Sequence, residues 1–168
     1  MSWLDLKGAI VADTVYSNKR LVAKDVSFTL PSISMQTADV QAMGTMSMPL
    51  VGLLEDMELA ITKIGIDTGL GKLSKLEKQN LEFRWVQTVI KSDGTSTVEG
   101  CKAFVRCVPK ALPGIGAEIG SASENELTYG VSRLQIYCGG TEYMLVDRLS
   151  QILRIDGKDY MSKISKLL

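Results

Sequence analysis

Along most of this chain apolar and polar side chains alternate one by one, and that period of two is what most limits the fold it can adopt. In "RLVAKDVSFTL" the apolar positions Val22, Val26, Phe28 and Leu30 share one parity. In "DMELAIT" Met57, Leu59 and Ile61 stand against Glu58, Ala60 and Thr62. "LEFRWVQTV" sets Leu81, Phe83, Trp85 and Val89 against Glu82, Arg84 and Thr88, and "CKAFVRCV" sets Cys101, Ala103, Val105 and Cys107 against Lys102 and Arg106. Neighbouring strand residues point to opposite sheet faces, so each segment predicts an antiparallel strand with one buried face. "YSNKR", "SDGT", "CGGT" and "IDGK" separate the strands, and the last three supply the positive-φ residues that tight hairpins need.

One strand breaks its own rule. In "LTYGVSRLQIYC" the apolar parity runs through Leu127, Tyr129 and Val131 and then switches to Leu134, Ile136 and Cys138. Such a switch predicts a bulge or corner, where one long strand serves two sheets. Two other segments leave the strand pattern. "DTGLGKLSKLEK" has Asp67 as N-cap and Leu70, Leu73 and Leu76 at threefold spacing, which predicts a short amphipathic helix. "DYMSKISKLL" predicts a helical tail capped by Asp159, with Met161, Ile164 and Leu167 on one side. Residues 109–125, "PKALPGIGAEIGSASEN", predict a long loop, and loops of that length usually have a job.

"MQTADVQAMGTMSMPLVG" concentrates four of the chain's eight methionines in a run that otherwise reads as a polar strand and turn. A strand wet on one face has little use for so many soft side chains unless other surfaces meet it.

The chain carries 19 basic and 19 acidic residues and no histidine. Neutrality argues against a protein whose main affinity is for nucleic-acid phosphates, and it permits self-association. Without histidine, Ser–His–Asp and Cys–His catalysis are excluded and the commonest general base is missing, so no enzyme is expected. "GIDTGLGKL" fails as a phosphate loop because Gly65 to Gly71 is one residue too long and Leu73 stands where Ser or Thr should. "GIGAEIG" misses the dinucleotide fingerprint by one residue, and no cofactor is expected. Cys101, Cys107 and Cys138 are read as buried reduced thiols, since zinc would need a fourth ligand. No apolar run is long enough to span a membrane, and "MSWLDLKGA" lacks a secretory signal's apolar stretch, so synthesis in a cytoplasm is expected. At 168 residues, with no repeat or linker, a single domain over residues 1–168 is expected.

Three stretches resemble, in order, the major tail tube protein of contractile-tailed phages and of the bacteriocins derived from such tails. "VYSNKRLVAKDVSFTLPSIS" is similar to that family's opening hairpin, with its strand ending in Leu-Pro. "DVQAMGTMSMPLVGLLEDMELAITKIGID" is similar to its next unit, and "SRLQIYCGGTEYMLVDRLSQILRIDGKDYMSKI" to its closing hairpin and basic tail. The resemblance covers roughly residues 9–167. It implies two packed antiparallel sheets, in sandwich or barrel form, with a short internal helix and a C-terminal helical tail.

The resemblance further implies subunits that form hexameric rings stacked as a hollow tube, whose inner barrel takes strands from all six. Residues 34–42 and 54–64, with parts of 100–108 and 125–136, are the expected inner strands. Met43, Met46, Met48, Pro49, Pro113, Ile115, Met161 and Ile164 are expected between subunits or stacked rings. Asp39, Glu55 and Glu58 are expected at the lumen, which should be neutral or acidic so that DNA passes without specific binding. Implied partners are the sheath, the tube initiator or baseplate, the tail terminator, and a tape measure protein in the lumen. Assembly would take place in the bacterial host cytoplasm, and the product would belong to the released particle. The rival readings are the tube of a type VI or other contractile secretion system, and a small-ligand-binding β-barrel, against which the few aromatics argue.

Overall fold

The computed structural model describes residues 5–168, so Met1–Leu4, including part of the opening read for a signal and the start of the expected 1–168 domain, lie outside the described residues. The chain is mostly β, all of it antiparallel. β1 (Leu6–Ser17) and β2 (Arg20–Lys24) form the first hairpin, followed by the short β3 (Ser27–Thr29). A second hairpin, β4 (Met35–Gln41) and β5 (Thr45–Leu54), precedes β6 (Glu58–Ile64) and α1 (Thr68–Leu73). The long strands β7 (Gln79–Ile90), β8 (Ser96–Ala111) and β9 (Glu124–Cys138) follow. β10 (Thr141–Asp147), β11 (Ile152–Ile155), β12 (Lys158–Asp159) and α2 (Ser162–Ser165) end the chain.

One ten-stranded sheet runs β12-β11-β10-β9-β8-β7-β1-β2, and β6 branches from β9 with β3 on its far side. The β4–β5 hairpin is a separate two-stranded sheet. The branch comes from the parity switch expected in β9. Arg106 pairs with Arg133 and Cys107 with Val131, so Ser132 is an extra residue and every side chain beyond it changes face. Before this bulge β9 pairs with β6, and after it with β10. Leu127, Tyr129 and Val131 therefore enter the same core as Leu134 despite their opposite parity. The sheet curls around that core and closes no barrel among the described residues.

α1 covers the core from one side. Asp67 caps it, its Oδ1 accepting the Leu70 N–H at 2.9 Å, and Leu70 and Leu73 are buried. The helix lies so close to β2 that a Cβ on Gly69 would collide with the Val22 carbonyl. It stops at Leu73, so Leu76 is left exposed rather than continuing the expected stripe. The Tyr129 hydroxyl, buried in the core, donates to the Leu73 carbonyl at 2.7 Å and ties this helix end to β9.

Several expectations need correction. "RLVAKDVSFTL" is two strands, because Asp25 takes φ 53° and sends β2 to β1 but β3 to β6. "YSNKR" also uses positive φ, at both Asn18 and Lys19, as a two-residue hairpin turn requires. The loop expected at 109–125 is confined to residues 112–123, since β8 runs to Ala111 and β9 begins at Glu124. Asp159 does not cap the tail helix: it lies in β12, and its side chain accepts the Met161 N–H just before α2 begins. Cys101 and Cys138 are not separate reduced thiols. They are cross-strand partners on β8 and β9, with Cα atoms 4.3 Å apart, and are joined as a disulfide. Cys107 is buried and free, and burial pushes its thiol up to about 12.

Candidate assembly surface

The methionine-rich run is the β4–β5 hairpin, and its register sorts its side chains. Ala38 faces Met48 and Val40 faces Met46, while Asp39 faces Ser47 and Gln41 faces Thr45. Directly opposed residues of an antiparallel pair share a sheet face. One face is therefore Ala38, Val40, Met46 and Met48; the other is Thr37, Asp39, Gln41, Thr45 and Ser47. On the polar face Gln41 donates to the Thr45 hydroxyl at 3.2 Å. On the apolar face Met46 and Met48 are 47% and 44% exposed. Met43 forms the tip of the turn, fully exposed at φ 54°. Only the residues between Gln41 and Thr45 turn; Met46, Met48 and Pro49 belong to β5.

The hairpin is fastened at its base. Gly52, at φ 103°, leaves room for Met161, and Ile164 packs beside it. Met161 is thus buried in its own chain's core, while Ile164 stays partly exposed. The Arg148 guanidinium donates to the Leu54 and Glu55 carbonyls at 3.2 and 3.1 Å. A groove of about 460 Å³ runs between the hairpin base and the end of the chain, with Val51, Leu53, Ile164 and Leu168 among its walls. Gly52 and Arg148 were not among the expected site residues, although a glycine inside the strand-like "PLVGLL" marks a close approach of another element.

The three carboxylates expected at a lumen separate. Asp39 stands on the polar face of the hairpin, and Glu55 is exposed at its base. Glu58 begins β6 and is bound by Lys110, which also reaches Asp56, at 3.0 and 3.4 Å. The Lys110 ammonium is held above its ordinary range, first by its hydrogen bond to Glu58. Among the described residues, neither Asp39 nor Glu55 has a cation within ion-pair distance. Pro113 and Ile115 lie in the 112–123 loop, with Ile115 well exposed.

A second unpartnered edge was missed in the sequence. β1 pairs with β7 along its length but with β2 only from Thr14 onward. Leu6, Ile10 and Val11, all exposed, lie on the stretch whose other edge is open. Open edges and apolar ribbons are costly unless other chains complete them.

The family model of the phage tail tube protein FII matches residues 9–168. No match was found among curated proteins. Among solved structures, the chain is similar to one in the sheath–tube complex of the PVC extracellular contractile injection system in its extended state. The two share 17% identity at a TM-score of 0.52, over 74% of this chain and 87% of that one. It is also similar to a chain of the anti-feeding prophage cap, the AFP tube terminating cap, at 17% identity and TM-score 0.50, over 74% of this chain and 87% of that one. At these identities the likeness is one of fold.

Proposed function

The chain belongs to the phage tail tube family, and from that premise we propose that six copies join as a ring and that rings stack into the hollow tube of a contractile particle. A tube-building structural role is common ground for the family. The observation that supports the finer reading is the β4–β5 hairpin, amphipathic and, among the described residues, paired with no other strand of its own chain. An isolated two-stranded hairpin is at best marginally stable in water. Set side by side around an axis, six such hairpins would bury Val40, Met46 and Met48 between copies and turn Asp39, Thr37, Gln41, Thr45 and Ser47 to a lumen. Methionine suits the buried side because its flexible thioether fills irregular gaps.

In this reading the lumen is polar and mildly acidic through Asp39 and Glu55, since Glu58 is offset by Lys110. Phosphates would gain no counterion-release affinity there, so DNA or a tape measure protein could occupy the channel without sticking. Met43, Pro49, Pro113, Ile115 and Ile164 meet neighbouring copies, while Met161 acts from inside by holding the hairpin base. The protein works as one tail tube domain without chemistry of its own. It is surrounded by a sheath, begun on a baseplate initiator and closed by a terminator. Assembly occurs in the bacterial host cytoplasm, and the tube leaves with the particle.

Sedimentation velocity of the purified protein over a concentration series, with negative-stain images of each fraction, tests this. Rings or tubes growing with concentration support it; a monomer at every concentration and salt contradicts it.

A further inference from the structure

Although the chain is neutral overall, its outward charges are separated along β9. Glu124 and Glu126 project at the start of the strand, and Glu118 lies in the preceding loop. Among the described residues, none of the three has a cation within ion-pair distance. Beyond the Ser132 bulge the same side of the sheet turns basic. Arg133 lies directly opposite Arg106 on β8, a like-charge pairing that disfavours the sheet unless an anion joins the two. Arg133 has a partial answer in Asp147, at 3.6 Å. Among the described residues Arg106 has no carboxylate within ion-pair distance, and its Nε is buried without a hydrogen-bond partner. Both arginines open into a concavity of about 700 Å³ lined also by Asn18, Lys19, Phe104, Tyr137 and one carboxylate, Glu82, which is itself paired with Arg84 at 2.7 Å. Lys19 and the neighbouring Lys102 have no carboxylate within ion-pair distance among the described residues.

We propose that this cationic concavity is the socket for the acidic 118–126 segment of a second copy, so that copies join head to tail. Two arginines in register, Arg106 with its unpartnered Nε and Arg133, match carboxylates, which accept two parallel N–H bonds from one guanidinium. The rims of Phe104 and Tyr137, packed edge to face with centroids 6.1 Å apart, suit the apolar residues beside those glutamates. Donor and acceptor surfaces are different patches of one chain, so the contact is heterologous and extends a series instead of closing a pair. This deepens the tube reading by naming one contact between copies in series.

A fluorescent peptide of residues 115–127, and the same peptide with Gln for its three Glu, are titrated into wild-type protein held below its assembly concentration. The acidic peptide is expected to bind about 10-fold tighter than the Gln peptide, and to weaken as salt rises. Arg106→Ala should lose about 10-fold in affinity and Arg106→Lys less, because lysine keeps the charge but not the fork. In the assembling protein, Lys19→Glu with Arg106→Glu should stop growth of the series. Reversing Glu118, Glu124 and Glu126 to Arg in the same chain should restore it. Equal binding of the two peptides, or Arg106→Ala binding like wild type, overturns the proposal. Lys19→Glu alone, at an exposed turn, guards against misfolding: wild-type peptide binding by that variant also counts against it. Peptide binding by a wild-type protein that never forms tubes would sink the tube reading and leave this contact standing.

Discussion

Gly52 and Met161 meet with no room for a methyl group between them: a Cβ on Gly52 would lie 3.0 Å from the Met161 sulfur. The same glycine has φ 103°, a backbone state that L-residues rarely adopt. Both facts fix where the β4–β5 hairpin leaves the body of the subunit.

Gly52→Ala is therefore expected to destabilise the subunit by about 1–3 kcal/mol, from strain plus displacement of Met161. Urea denaturation of the unassembled protein reads this directly. An unchanged midpoint would mean that the tail does not hold the hairpin base.

Met46→Asp and Met48→Asp place a charge on the apolar face of the hairpin, whose side chains are half exposed in the single subunit. Each should leave the melting temperature within a few degrees of wild type, since surface changes usually cost less than about 0.5 kcal/mol. Each should abolish tubes in electron micrographs. Tubes of wild-type length from both variants would remove the hairpin from the interface.

Asp67 links pH to stability. Its hydrogen bond from Lys63 comes first, and those from the Leu70 and Gly69 amides add to it, so its carboxyl is held below the ordinary value. A group whose folded-state value is lowered stabilises the fold above its ordinary value and loses that contribution as pH falls through the lowered one. Asp67→Asn keeps a capping side chain but cannot ionise, so its stability should fall less steeply on acidification than wild type's. Parallel acid limbs in a pH series of urea midpoints would show that Asp67 carries no such linkage.

How much of this was legible in the sequence can be argued residue by residue. The corner in β9 was readable because its parity switch, from Val131 to Leu134, is a local signal, and the structure places one extra residue, Ser132, between them. The cap at Asp67 was readable for the same reason. The pairing of Cys101 with Cys138 was not, because it depends on the register between β8 and β9, which that bulge shifts. The break at Asp25 escaped because a positive φ at an aspartate leaves no mark in the hydrophobic pattern. The hairpin was half legible. Ala38, Val40, Met46 and Met48 share even parity, but only a turn centred on Met43, with Gln41 opposite Thr45, brings the two strands' apolar positions onto one face. The fold of the family was legible from the order of its units. The contacts between copies depend on surfaces that one chain's pattern does not pair.

The most direct measurement is a cryo-electron microscopy reconstruction of the assembled protein at side-chain resolution. The account predicts a ring in which Val40, Met46 and Met48 are covered by a neighbouring copy while Asp39 faces an open channel. A reconstruction in which the β4–β5 hairpin folds back onto its own subunit, or turns its methionines toward the channel, would contradict it.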